Sequence, residues 1–448
     1  MRLLRHFWFI ALLAAVLAVL AVIWWPGSSS ARQSIYAYGP VGKVYLTQPE
    51  GNPQGMAMLV SGRAGWTLQE DRLARDLSNI GIIVAGVDAR LLVQRSAKAS
   101  VRQKFSCLNF SSQLHAVGKD VQHRLNLDHY IQPVLLGVGE GGALAYIAQA
   151  QSGNGFYQAA MSIGLPKSVD MPMRGCGKTT ARTAGPDGYM LAALPKADQP
   201  WFVVLDGGGD PMSDFVRKVG GGKLIGPRQI AGTLMPVLQD AEADDMPGGL
   251  PITEIPATAA GNPRLMAILY SGDGGWAGLD RDIAAELARR GIPVAGMSSL
   301  KYFWTARTPQ QSATDLQTMM DHYSQKWGRN EILLVGYSFG ADVLPFIYDA
   351  LPPERRKQII RVGMIGFSDN ADFQFHLDNW LVAKDAASRP TLPEVARMAG
   401  SVLCIGGLKD SDNACPRITN PSVRKVTLPG DHHLNDDAGR IVDSLLER

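Results

Sequence analysis

One serine stands among neighbours whose types make it a nucleophile. Gly336-Tyr337-Ser338-Phe339-Gly340 is a G-x-S-x-G pattern, directly after the apolar run Ile332–Val335 and before a stretch of helical spacing. That strand–turn–helix context is a nucleophile elbow, in which small glycines let backbone pass close to a serine held on a sharp turn. To attack an acyl carbon the serine needs a base, and the base needs an acid to orient it. Both are expected further along the chain, acid first. Val402–Gly407 is an apolar strand running into Leu408-Lys409-Asp410, so Asp410 is the expected acid and Asp412 its rival. Val423–Leu428 runs into Pro429-Gly430-Asp431-His432-His433-Leu434. Of the paired histidines, His433 is preferred as base because it precedes an apolar residue; His432 is the rival. His322 lies in a helical stretch and reads as a surface residue. His376 alternates with aromatics and suits a substrate wall better than a base.

A serine attacking an acyl carbon builds a negative oxygen, which preorganised backbone N–H groups stabilise. Ser271-Gly272-Asp273-Gly274-Gly275-Trp276 follows the apolar run 265–270 and is rich enough in glycine to turn its amides toward such a charge. The expected donors are the N–H of Phe339 and one from Gly272–Gly274, with Asp273 preferred. The side chain of Asp273 suits either a cationic substrate group or the cap of the following helix.

These residues sit in the second copy of a repeat. Gly51-Asn52-Pro53 leads into Ser61-Gly62-Arg63-Ala64-Gly65-Trp66, and Gly261-Asn262-Pro263, 210 positions later, leads into Ser271–Trp276. Leu135–Gly142 likewise lines up with Leu334–Ala341, and there Gly139 stands in place of Ser338. Each copy alternates short apolar runs with longer amphipathic stretches, the pattern of a parallel sheet with crossover helices. Strands are expected near 265–270, 292–297, 331–336, 360–366, 401–406 and 423–428, with helices over Asp280–Arg290 and Thr308–Trp327. The first copy mirrors them near 56–60, 82–87, 133–138, 159–163 and 201–205. The acidic stretch 240–249 reads as a linker. The domains are therefore 1–30, a membrane or signal segment; 31–247, a copy lacking the nucleophile; and 248–448, the copy that carries it.

At the N-terminus, Arg2 and Arg5 precede Phe7–Trp25, 19 consecutive apolar residues. As a helix this run rises about 28 Å, close to the ~30 Å hydrocarbon core of a bilayer. Positive charge before it places the remainder of the chain outside the cytoplasm. A retained anchor is favoured over a signal peptide cleaved near Ser29-Ser30-Ala31. Four cysteines, two per copy (Cys107 and Cys176, Cys404 and Cys415), permit one disulfide in each copy in an oxidising compartment. No Cys/His spacing reads as a metal site, and no cofactor is called for. A net charge of +3 over 448 residues gives no case for nucleic acid.

The motifs Ser-Gly-Asp-Gly-Gly-Trp at 271–276, Leu300-Lys301-Tyr302-Phe303-Trp304-Thr305 with Arg307-Thr308-Pro309, Gly-Tyr-Ser-Phe-Gly-Ala-Asp at 336–342 and the His-His pair resemble the VirJ/AcvB family of bacterial virulence-associated periplasmic proteins. The resemblance extends over nearly the whole chain and is to the long, duplicated members; short members carry only the second copy. It implies two tandem α/β-hydrolase-like, doubly wound sheets after an N-terminal transmembrane helix, anchored to the inner membrane and facing the periplasm. It further implies hydrolysis of the aminoacyl ester of lysyl- or alanyl-phosphatidylglycerol, with Ser338, Asp410 and His433 as catalytic residues. One departure is Leu434, where an aromatic is expected after the histidines. A substrate ammonium would favour an anionic or aromatic lining, for which Asp273, Trp276, Tyr302 and Trp304 are candidates. Tyr302 and Trp304 read equally well as core aromatics. The rival from another class is a virulence or secretion accessory protein that works by binding a protein partner; a third reading is a hydrolase of another ester.

Overall fold

The computed structural model describes residues 31–102, 105–152, 155–185, 188–195, 197, 199–205, 210–240, 249–276, 278–375 and 388–447. The expected N-terminal helix, the linker core at 241–248, where the boundary at 247/248 was placed, and His376 lie outside the described residues. Among the described residues, no helix is long and apolar enough to cross a membrane.

Two large sheets carry the chain. The first holds β1 (Arg32–Tyr38), β2 (Gly42–Gln48), β3 (Gly55–Val60), β4 (Ile82–Val87), β5 (Val134–Val138), β6 (Ala160–Ile163), β7 (Trp201–Val204) and β8 (Gly222–Ile225), in spatial order β1-β2-β4-β3-β5-β6-β7-β8. The second holds β9 (Ile252–Ile255), β10 (Leu265–Tyr270), β11 (Val294–Met297), β12 (Glu331–Tyr337), β13 (Ile359–Ile365), β14 (Val402–Gly407) and β15 (Val423–Leu428), in order β9-β11-β10-β12-β13-β14-β15. Laid on each other, the two orders match once β1 is removed. In each sheet the first shared strand is antiparallel to its neighbour (β2 to β4, β9 to β11) and the strands beyond are parallel.

Period-two burial explains the layers. Along β10, Met266, Ile268 and Tyr270 join one core with Leu316, Met320 and Leu344, while Leu265, Ala267 and Leu269 join another with Ile283, Leu287, Ile441 and Leu445. Both faces are therefore apolar and both are covered by helices, as a parallel sheet requires. The first sheet splits in the same way, Met56, Met58 and Val60 facing one core and Ala57 and Leu59 the other. The expected strands appear within two residues of their anticipated limits. The hairpin β1–β2 and the edge strands β8 and β9 had not been anticipated; β8 (Gly-Lys-Leu-Ile) is half exposed and mixed in polarity, so it has no apolar run to betray it.

Local chemistry sets the helix ends. Thr308 caps Pro309–Trp327 by accepting from the Gln311 amide while the Gln311 side chain returns to the Thr308 amide; Gly328 closes the helix in the left-handed region at φ 65°. Each half carries one disulfide, Cys107–Cys176 and Cys404–Cys415. The second spans 11 positions from within β14 to just beyond its C-terminal loop, so the loop bearing Asp410 is tied at both ends. The halves meet at a cluster of Tyr130 from the first with Leu300, Trp304 and Phe375 from the second.

Closing a loop of this size removes unfolded-state entropy worth on the order of 2–4 kcal/mol. The double substitution Cys404→Ala and Cys415→Ala should lower the thermal midpoint and also cut ester turnover, because Asp410 loses its tether. Calorimetry and ester hydrolysis on the same preparation check this; an unchanged turnover would show that the loop holds Asp410 without the bridge.

Candidate active site

Ser338 lies between the end of β12 and the helix Phe339–Ala350, with φ 52° and ψ −121°. A non-glycine residue in this region is strained by roughly 1–3 kcal/mol and persists only where its surroundings over-determine it. Here they do. A Cβ on Gly336 would lie 2.5 Å from the Gly340 carbonyl, and one on Gly340 would lie 2.3 Å from the carbonyl oxygen of Tyr270. Only glycine at both flanks lets the turn close against the end of β10, and the closed turn lifts Ser338 above the sheet.

His432 Nε2 lies 2.8 Å from Ser338 Oγ, and His432 Nδ1 lies 3.0 Å from Asp410 Oδ2. A carboxylate only accepts, so Nδ1 carries the proton and Nε2 is left as the acceptor for the serine hydroxyl. The Asp410 side chain is 4% exposed, and its Oδ1 accepts the Asp412 amide at 3.1 Å. Asp412 thus supports the acid through its backbone, while its own side chain faces solvent.

The preference for His433 is corrected: the base position belongs to His432. Leu434, the apolar residue that favoured His433, is 1% exposed and anchors the loop in the core below. From there Leu434, Asn435 and Asp436 run through three consecutive positive φ values, 54°, 56° and 55°. The resulting coil turns His433 outward, with its Nδ1 3.1 Å from the Tyr337 hydroxyl, and leaves His432 facing Ser338. Gly366 makes room for it, since a Cβ there would lie 3.0 Å from the imidazole. Asp342, in the first turn behind the nucleophile, fixes the adjoining loop by accepting from the Ser368 amide (2.7 Å) and hydroxyl (2.8 Å).

Of the expected oxyanion donors, Gly272 is corrected. Its N–H donates to Asp280 Oδ1 at 3.3 Å, so it is occupied in holding the turn. Gly272 brings the turn against the nucleophile, a Cβ there falling 3.5 Å from that of Ser338. The amides of Phe339 and Asp273 remain. Phe339 occupies the first position of its helix, where an N–H has no intrahelical acceptor. The first half repeats this scaffold with glycine in place of the elbow serine. Gly139 has φ 54°, the Gly62 N–H donates to Glu70 at 3.1 Å, and Ser61 Oγ accepts the Ala89 amide as Ser271 Oγ accepts that of Ser299. Arg63, in the place of Asp273, reaches Glu140 and Asp170.

Three candidate substrate residues prove to be packing. Tyr302 is 1% exposed and its hydroxyl donates to Asp315 at 2.5 Å. Trp276 lays its ring in the space left by Gly296, as Trp66 does over Gly86. Trp304 is 3% exposed and donates its indole N–H to the Leu127 carbonyl of the first half at 2.8 Å. Asp273 is half-buried on the turn that Gly272 brings against Ser338. Asp280 and Gly366 were missed in the sequence; the recurrence of an acid at Glu70 and Asp280, 210 positions apart, was the available signal for the former.

Residues 264–448 match the family model of the bacterial virulence protein VirJ. Over these residues the chain is similar to the VirJ family, and the match does not extend to the first half. No curated protein matches it. Among solved structures, Est1E from Butyrivibrio proteoclasticus is 14% identical with a TM-score of 0.33, covering 45% of this chain and 95% of that one. The esterase domain of a Rhodothermus marinus protein is 16% identical with a TM-score of 0.31, covering 44% and 90%. A dienelactone hydrolase from Anabaena variabilis ATCC 29413 is 20% identical with a TM-score of 0.29, covering 47% and 95%.

Within the half that matches VirJ, His432→Ala should reduce turnover on the order of 10⁴-fold, as loss of such a base does. His433→Ala should leave most of it. A fluorophosphonate probe should label the full chain at Ser338, and Ser338→Ala should abolish labelling, since the elbow of the first half presents only Gly139. Peptide mapping of the labelled protein checks both statements.

Proposed function

We propose that the protein is a serine hydrolase that releases the amino acid from aminoacyl-phosphatidylglycerol, lysyl or alanyl, at the periplasmic face of the inner membrane. The observation that carries the chemistry is the continuous hydrogen-bonded chain Ser338–His432–Asp410 on a glycine-flanked elbow. Ser338 Oγ attacks the aminoacyl carbonyl while His432 takes its proton, and Asp410 holds the imidazole in the tautomer that accepts it. The Phe339 and Asp273 amides receive the developing oxyanion. The glycerol hydroxyl of phosphatidylglycerol leaves with the proton from His432, and a water activated by the same imidazole frees the amino acid and restores Ser338. The substrate class rests on the VirJ match and on Asp273, a carboxylate beside the reacting centre that suits an ammonium one carbon from the acyl group. The membrane location rests on the apolar run 7–25.

The full chain should release free lysine or alanine from the corresponding lipid and leave phosphatidylglycerol intact, as read by thin-layer chromatography. Asp273→Asn should lower turnover of the aminoacyl lipid about tenfold more than that of p-nitrophenyl butyrate, the loss of one charge-assisted contact. Released fatty acid with the amino acid still attached would overturn the substrate. A role in secretion through a protein partner needs no nucleophile, so a Ser338→Ala chain that keeps its biological effect while losing hydrolysis would favour that reading.

A further inference from the structure

The helix Ser111–Arg124 belongs to the first half, where Leu114, Val117 and Val121 bury one side of it in that half's core. His115, Lys119 and His123 follow at four-residue spacing, a separate stripe of the same helix. All three contact aromatic rings that lead to the catalytic half. His123 stacks on Trp304 at 4.0 Å, Lys119 Nζ stands 4.4 Å from the centre of the Phe375 ring, and His115 stacks on Phe156 at 4.1 Å. Phe156 in turn abuts the oxyanion turn, since a Cβ on Gly274 would lie 2.9 Å from its ring. Phe375 is tied to the nucleophile's side of the site: its amide donates to the Phe303 carbonyl at 2.8 Å, and the Phe303 ring lies 5.2 Å from that of Phe339. The half without a nucleophile therefore forms one wall of the site that has one.

We propose that Lys119 is a substrate-binding residue of the VirJ site, supplied by the first half, and that its ammonium receives the phosphate of the ester substrate while Asp273 receives the substrate's ammonium. This assignment rests on the function proposed above. Lys119 is only 8% exposed, and among the described residues it closes no hydrogen bond or ion pair. An ammonium withdrawn from water without such a partner is destabilising, and a ring face compensates only part of it. Burial lowers its proton affinity, and the charge of Asp273 opposes that, although no hydrogen bond or ion pair joins the two groups. An ester bearing both charges answers both: its phosphate pairs with Lys119 and its ammonium with Asp273. In aminoacyl-phosphatidylglycerol the three glycerol carbons separate the ester oxygen from the phosphate, so both charges flank the bond that breaks.

The test uses the full chain with Lys119→Met, which keeps the length and apolar stem, and Lys119→Arg, which keeps the charge. Lys119→Met should raise KM for lysyl-phosphatidylglycerol in mixed micelles about tenfold relative to its effect on p-nitrophenyl butyrate, the worth of one charge-assisted contact. Lys119→Arg should restore most of it. Glycerophosphoglycerol, the headgroup without acyl chains, should inhibit p-nitrophenyl butyrate hydrolysis by the unsubstituted protein, and Lys119→Met should weaken that inhibition by a similar factor. Equal losses on both esters, or inhibition that is absent or insensitive to Lys119, would overturn the assignment. Hydrolysis of p-nitrophenyl butyrate without hydrolysis of the lipid would overturn the substrate proposed above, while the headgroup inhibition would still decide Lys119.

Discussion

The site depends on one close approach: the turn 336–340 packed against the carbonyls of Tyr270 and Ser271. Atoms at 2.3–2.7 Å from a hypothetical Cβ leave no choice but glycine at 340, and the same crowding sets glycine at 336. Once those positions are fixed, residue 338 is driven to positive φ and its side chain projects from the end of the sheet. The first half shows that this is a demand of folding before it is one of catalysis. Gly137 and Gly141 meet the same backbone crowding there, and Gly139 adopts φ 54° with no hydroxyl to present. Without the nucleophile, glycine relieves the strain that serine bears in the other half. The elbow geometry does not depend on the serine, because the same close packing of the sheet against its following helix imposes it in both halves.

The same reasoning separates what the sequence made legible from what it did not. The repeat, the strand positions, Ser338 and Asp410 were readable because each rests on local pattern: an apolar run, a glycine at a fixed offset, an acid one turn past a strand end. His432 was not. Its choice over His433 turns on a single-residue offset, and that offset is set by where Leu434 enters the core and by three left-handed residues that follow. An apolar residue after a histidine reads as a mark of the base, whereas here it is the anchor that turns the neighbouring histidine away. Gly272 failed as a donor for a comparable reason, because Asp280, eight residues on, takes its N–H.

The aromatics Tyr302, Trp304 and Trp276 illustrate a different limit. Large rings beside a predicted cleft suit an ammonium equally well in sequence, yet each has a structural task that consumes it. Trp276 fills the space of a missing side chain at Gly296, and the pairing of Trp66 with Gly86 identifies this as part of the repeat. Trp304 has no such counterpart in its hydrogen bond: its indole donates to the first half, which makes it the joint between two copies of one fold.

That joint gives the half without the elbow serine a structural task. The sheet with Gly139 at its elbow, docked through Trp304, Phe375 and Phe156, packs against the copy that carries Ser338. It also sets the Lys119 ammonium 4.4 Å from the centre of the Phe375 ring of the other copy. In the first half the position corresponding to Asp273 is Arg63, already neutralised by Glu140 and Asp170 on its own surface. In the second, Asp273 closes no ion pair among the described residues, and its charge is felt by Lys119 of the first half. The elbow serine thus belongs to one copy alone, while the two unpaired charges, Asp273 and Lys119, are divided between both.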